Sequence, residues 1–312
     1  MMAKTQRNDI LQARILYERL LRMISGDGEL LALLDTLPQE KRQANLLLSV
    51  ARYHGGRIDD PAALCDYIKL NWPAIEIEMC NRAQQTNEAG RCATLLPILA
   101  ALPQPLALLE VGASAGLCLY PDRYSYRYGA HTVGTGGPTI ECTANGVRPP
   151  DRLPEVVWRA GLDLKPLDIT DSADLAWLDS NIWPPHPRRR ARLREAAAVA
   201  AAEPPHLVRG DLVDDLPALA AQAPDDATLV VFHTAVMYQL SVSRRKAFSD
   251  LVSQLPGHWI ANEARGVLPY DSLPAPPAVL RHNVLALDGT PLAWAQWHGQ
   301  EVVFFADINQ AE

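Results

Sequence analysis

The chain has 312 residues, of which 48% are apolar and 21% charged, and a formal net charge of −7. That balance describes a globular protein with ample core, long enough for one large domain and a smaller one. It argues against a nucleic-acid backbone as partner, since phosphate binding needs a clustered basic face. The one basic run, Arg188, Arg189, Arg190, Arg192 and Arg194, opens a helix-like segment and reads as its solvated face. Five cysteines without a C-x-x-C spacing suggest neither a zinc site nor a disulfide framework. The first residues carry charges at helical spacing, so neither a signal peptide nor a membrane span is expected, and a cytoplasmic location is the default.

Apolar residues recur at three- and four-residue spacings from Ile10 to Met23 and again in 30–37, 44–53, 62–70 and 93–102. This predicts a helical region, 1–103, with polar or Gly/Pro breaks and no strand before residue 105. The texture then changes. Leu106–Val111 reads as a strand buried on both faces. A helix is expected over 115–126, weakened by Pro121. Residues 129–155, rich in Gly, Thr and Pro, read as an inserted hairpin or long loop. Strands are predicted at 156–163, 206–209, 228–232 and 258–261, and helices at 188–202 and 244–255. Three further runs, 284–287, 292–297 and 302–305, are separated by Asp288-Gly289 and His298-Gly299, which are hairpin signals. Alternating strands and helices make a parallel sheet, to which the closing hairpins add antiparallel strands.

The chemistry centres on Gly112-Ala113-Ser114-Ala115-Gly116, directly after the first strand. Its spelling, G-x-S-x-G, is that of a hydrolase nucleophile elbow. His54-Gly55-Gly56 would then supply an oxyanion hole, and His282 or His298 a base. Against this, the lead-in is helical, Gly55-Gly56 is more simply a helix stop, and Glu110 has no role in an elbow. As E-x-G-x-x-x-G the same stretch suits a cofactor, because glycines let the backbone approach a ligand and turn sharply. Glu110 would repel phosphate and suit an ammonium or sulfonium. Asp163 ends the second strand, where nucleotide-binding α/β folds hold a ribose, with Glu141 as its rival. Gly210, Asp211 and Leu212 close the third strand, where an adenine could sit.

With those motifs the chain resembles the Rossmann-like S-adenosylmethionine-dependent methyltransferases. The matching segments are E-x-G-x-x-x-G at 110–116, G-x-D-L-x-P at 161–166, G-D-L at 210–212 and the apolar strand closing on FHTAVMYQL at 232–240. The whole chain also looks like a bacterial family catalogued as a domain of unknown function, through LLEVGASAGL, WRAGLDLKPLD, VRGD, VVFHTAV, NEARGVLP and QTNEAGR. The resemblance implies an α/β fold: a seven-stranded, mostly parallel methyltransferase-type sheet over 104–312, with antiparallel C-terminal hairpins and an N-terminal helical cap. It implies S-adenosylmethionine as cofactor, held by Glu110, Gly112, Ser114, Ala115, Gly116, Asp163, Gly210, Asp211 and Leu212, and a small-molecule acceptor. Two departures stand: the ribose acid comes late, and the Asn/Asp-Pro-Pro-Tyr motif of amino-group methylators is absent from 232–238.

Methyl transfer asks little of the protein beyond alignment and a dry site. His233, ending the fourth strand, is the candidate base, or else a histidine satisfied by backbone. Asn87, Glu88 and Arg91 are candidates to roof the pocket, or form a helix cap with a local ion pair. Tyr238 could close it; Asn262 and Glu263 could bind substrate. The sequence leaves open a serine esterase using Ser114, and a non-catalytic nucleotide-binding or regulatory protein. It names neither acceptor nor oligomeric state.

Overall fold

The computed structural model describes residues 4–183, 186–277 and 282–308, with side chains in the first helix from residue 15 on. The chain divides into two compact units, Met1–Thr86 with Thr170–Ala191, and Asn87–Ile169 with Arg192–Glu312. Among the described residues six α-helices precede the first strand: α1 (Lys4–Gly26), α2 (Gly28–Leu34), α3 (Ala44–Tyr53), α4 (Pro61–Leu70), α5 (Trp72–Asn81) and α6 (Cys92–Ala101). The first five belong to the first unit. Their ends follow local chemistry. Asp27 and Asp60 accept backbone N–H groups at the starts of α2 and α4, and Pro61 takes the first turn of α4. His54 and Gly55, at a φ of 95°, stop α3.

Helix α6 lies in the second unit and carries Pro97 inside it. Proline has no N–H to give the carbonyl of Ala93. The hydroxyl of Tyr128 donates to that carbonyl instead, at 2.6 Å.

The strands follow: β1 (Leu106–Val111), β2 (Ser125–Tyr128), β3 (His131–Val133), β4 (Thr139–Glu141), β5 (Thr143–Asn145) and β6 (Val156–Asp163). Helices α7 (Ser172–Ser180) and α8 (Pro187–Ala202) lead to β7 (His206–Arg209), α9 (Leu216–Ala220) and β8 (Thr228–Thr234). Helix α10 (Val242–Val252), β9 (His258–Ala264), β10 (His282–Leu287), β11 (Thr290–Gln296) and β12 (Glu301–Phe304) complete the chain.

The main sheet has nine strands in the order β5-β12-β11-β10-β9-β8-β1-β6-β7. Five neighbouring strands, β7-β6-β1-β8-β9, are parallel, and β10, β11 and β12 are antiparallel to their predecessors. The order reverses at β1: the next two parallel strands lie on one side of it and the last two on the other. One face of this region is apolar, with Leu109, Val111, Ala160, Leu162, Val231, Phe248, Trp259 and Ala261 in one buried cluster. Side chains alternate along a strand, so Glu110 lies on the opposite face from Leu109 and Val111.

Two expectations are corrected. The sheet has nine strands rather than seven: eight fall on the runs read as strands, and β5, from the stretch read as an insertion, pairs in parallel with β12 at the edge. That stretch also supplies β3 and β4, which flank β2 in a separate three-stranded sheet. The helix expected over 115–126 is absent. After Gly116, at a φ of 72°, only a 3-10 turn at Leu117–Leu119 forms. Tyr124 and Tyr126 are drawn inward, their hydroxyls donating to the carbonyls of Leu117 and Pro121 at 2.7 and 2.8 Å. Tyr126 and Tyr128 stack on one face of β2, the two-residue period of a strand.

The arginine run is not a plain solvated face. Arg188 and Arg194 are exposed and Arg189 is buried. Arg190 pairs with Asp179 inside the first unit and Arg192 with Glu88 inside the second, both at 2.7 Å. No helix among the described residues is long and apolar enough to cross a membrane.

Candidate functional site

The carboxyl ends of β1 and β8 meet where the strand order reverses. Glu110, one residue from the end of β1, is 2% exposed, and its Oε2 has no hydrogen-bond partner. Burial pushes its carboxyl well above the ordinary 4.5. The neighbouring Cys118 and Asp163 add to the rise, and Arg91 opposes it without prevailing. An acid so placed is short of a donor or a cation.

The loop after β1 is bent through left-handed residues: Gly112 at a φ of 71°, Ser114 at 54° and Gly116 at 72°. Across the reversal, Ala235 follows β8 at a φ of 57°. Left-handed conformation costs a non-glycine residue about 1–2 kcal/mol, and such strain gathers at functional sites. Ser114 is buried, and its Oγ has no partner. Its N–H donates to Asp163 Oδ2 at 2.8 Å and its carbonyl accepts from Leu167 N at 3.0 Å.

The glycines make room chiefly for the protein itself. A Cβ on Gly112 would strike the side chain of Val236, and one on Gly116 would meet Pro205 at 2.9 Å. On Gly161 it would lie 2.5 Å from Ala113 and 2.6 Å from Leu207. We therefore expect Gly161→Ala to lower stability by about 1–3 kcal/mol through overpacking, read from its urea midpoint. An unchanged midpoint would show that this glycine serves something other than packing.

Asp163 acts as a loop fastener. Besides Ser114 N, it accepts Lys165 N on Oδ1 at 2.7 Å, so a ribose would have to share these oxygens. Asp211 accepts from Val213 N and Asp214 N and pairs with Arg244. Burial raises its carboxyl, but those partners outweigh it and hold the group below its ordinary range. Gly210 N donates to the carbonyl of Asp163 at 3.0 Å, tying the two loops together. Leu212 packs against the apolar cluster, and Ala115 is buried. Glu141 lies in the small sheet, paired with Arg127.

His233 is fully buried against Phe248 and Trp259. The Trp259 indole N–H donates to its Nε2 at 3.0 Å, and an indole can only donate. The ring proton is therefore on Nδ1, which donates to Glu263 Oε1 at 2.8 Å. A base needs a lone pair facing substrate, and this histidine has none to spare. Its role is to hold Glu263, whose Oε1 also accepts Val236 N at 2.8 Å and Met237 N at 3.1 Å, shaping the turn after β8. Glu263 Oε2 and Asn262 Oδ1 are buried without partners. Both residues lie inside β9, not at a surface end. Tyr238 sits in a 3-10 turn, not a helix, and is 56% exposed.

Asn87, Glu88 and Arg91 all belong to the second unit. Asn87 Oδ1 accepts Leu117 N at 2.9 Å and so fixes the exit of the glycine loop. Glu88 caps Gly90 N at 3.1 Å, but its ion pair is with Arg192 rather than Arg91. Arg91 instead reaches Thr234 and the carbonyl of Trp297.

Sequence reading missed the clamp beneath the loop. Arg159 and Asp122 form two parallel hydrogen bonds of 2.8 Å, and Arg159 also donates to the Leu119 carbonyl. Nothing local in the sequence marks this pair. Among the described residues no group of three or more His, Cys, Asp or Glu could hold a metal ion.

A family model described as "Uncharacterized protein conserved in bacteria (DUF2332)" matches residues 12–303. No curated protein and no solved structure matches the chain.

Proposed function

The chain belongs to the bacterial family DUF2332, and we propose that it binds S-adenosylmethionine at the carboxyl ends of β1 and β8 and methylates a small molecule. The observation that carries this reading is the partnerless, buried carboxyl oxygen of Glu110. It lies beside the strand-order reversal, where open α/β sheets receive ligands. The parallel order β7-β6-β1-β8-β9 agrees with the first five positions of the doubly wound arrangement.

The residues fit such a ligand in part. Glu110 and the unpartnered Ser114 Oγ offer acceptors to a cationic amino-acid end. Gly112, Gly116 and Gly161 do not form an open cradle, since protein atoms fill the space a Cβ would take. When bound, the cofactor supplies a methyl group already activated on a sulfonium. The chain's own part is to bind and orient at Glu110 and Ser114, to exclude water around the buried loop, and to hold the β8 turn through Glu263. With His233 committed to Trp259 and Glu263, this reading assigns no general base.

Calorimetric titration tests the reading. S-adenosylmethionine and S-adenosylhomocysteine, which share the cationic amino-acid end, should both bind, and Glu110→Gln should weaken both. No binding at millimolar ligand to folded protein would end it. Binding without turnover on a broad acceptor panel would favour a regulatory protein.

The left-handed φ of Ser114 is the one feature that favours the esterase reading, because a nucleophile elbow is strained. The Ser114 hydroxyl, however, has no histidine partner. Ser114→Ala should leave turnover of short acyl esters unchanged; a loss confined to that variant would revive the esterase.

A further inference from the structure

We propose that Arg91 anchors a second binding site, one that takes the carboxylate of a small α-hydroxy or α-amino acid beside the side-chain amide of Asn262. Arg91 is 8% exposed. Its Nη1 donates to the Thr234 carbonyl and hydroxyl at 2.8 and 2.9 Å, and its Nε to the Trp297 carbonyl at 3.1 Å. All three acceptors are neutral. Among the described residues no carboxylate lies within ion-pair distance of it, and Nη2 has no acceptor. A buried guanidinium is ordinarily matched by an anion, as Arg159 is by Asp122. Glu110 is near but does not supply that charge, because burial favours its neutral form.

Asn262 provides the second half. It pairs in register with Thr234 across β8 and β9, so the two side chains lie together on one face. It is 2% exposed, and its Oδ1 has no donor. Its backbone carbonyl is taken by Ala235 N and Asn283 Nδ2, so the vacancy belongs to the side chain alone. A buried amide oxygen left unpaired is costly. One molecule meets both needs if it brings an anion for Nη2 and, next to it, a hydroxyl or ammonium for Oδ1.

The anion is a carboxylate rather than a phosphate. Only one guanidinium nitrogen is free, and the turn after β8 is a three-residue 3-10 turn with no helix dipole to add. Tyr238 is exposed on that turn. The proposal stands without the cofactor reading, and neither falls with the other.

The test is calorimetric titration of the full chain with L-lactate, with uncharged lactamide, and with inorganic phosphate. Lactate should bind saturably and the other two should not. Arg91→Gln should weaken lactate by about tenfold or more, as for a lost charge-assisted hydrogen bond. Asn262→Asp sets a like charge beside the ligand's carboxylate; it should lose lactate binding, and it stands in if Arg91→Gln fails to fold. No lactate binding to the folded wild type, or undiminished binding in either variant, would overturn the site. Phosphate binding as tightly as lactate would overturn the carboxylate assignment.

Discussion

Asp122→Ala should lower the stability of the second unit by about 3–5 kcal/mol, the loss expected when one partner of a buried ion pair is removed. Both side chains are under one-tenth exposed, and the geometry is bidentate. The remaining Arg159 would keep the Leu119 carbonyl, the Tyr120 ring 5.1 Å from its guanidinium, and a longer contact of 3.9 Å with the half-exposed Glu203. Because Asp122 follows the turn that leaves the glycine loop, its loss should also loosen residues 112–119. Urea unfolding gives the size of the effect, and amide exchange over residues 112–119 its location. Replacing the pair together, as Asp122→Leu with Arg159→Met, should recover most of the loss, since an apolar pair carries no desolvation penalty. A loss under about 1 kcal/mol for Asp122→Ala would put the pair with exposed, screened ones.

Glu110→Gln should have the opposite sign. Burial raises this carboxyl above 4.5 in the folded chain. A raised acid binds more protons folded than unfolded, so its contribution is fully present below about pH 4.5 and is lost as the pH climbs toward the folded value. At neutral pH the wild type therefore carries a penalty that glutamine avoids. The variant should be more stable at neutral pH, because its amide carries no ionisation penalty. Its advantage should shrink as the pH falls toward 4.5 and be gone below it. Denaturant titrations at pH 4 and pH 7.5 give both numbers. A group kept at the expense of stability is a mark of function. A less stable variant at pH 7.5 would mean that Glu110 is a structural acid.

The sheet was legible where strands announce themselves. The unbroken apolar run at 106–111, the β-forming run at 228–232 and the Asp288-Gly289 turn each correspond to what forms. Short strands without that pattern were not. Thr143–Asn145 has only three residues, and it becomes a strand because β12 offers an edge. The alternation Tyr124, Tyr126, Tyr128 was readable as a strand but lay in the shadow of the glycine motif, which suggested a helix.

The site was legible as a set of polar residues and illegible as a circuit. Glu110, Asn262, Glu263 and Arg91 could be named from position alone. That Trp259 would occupy the Nε2 of His233, or that Val236 would fill the space at Gly112, depends on contacts across 26 and 124 positions of chain. No local pattern carries such information.

The most direct test of the Glu110 account is a proton count on binding. Titration of the wild type with S-adenosylmethionine, near neutral pH in two buffers of different ionisation enthalpy, should show net proton release, as the arriving cation lowers the raised Glu110 carboxyl. Glu110→Gln should release none. Absence of binding, or equal proton release from both proteins, would contradict the account.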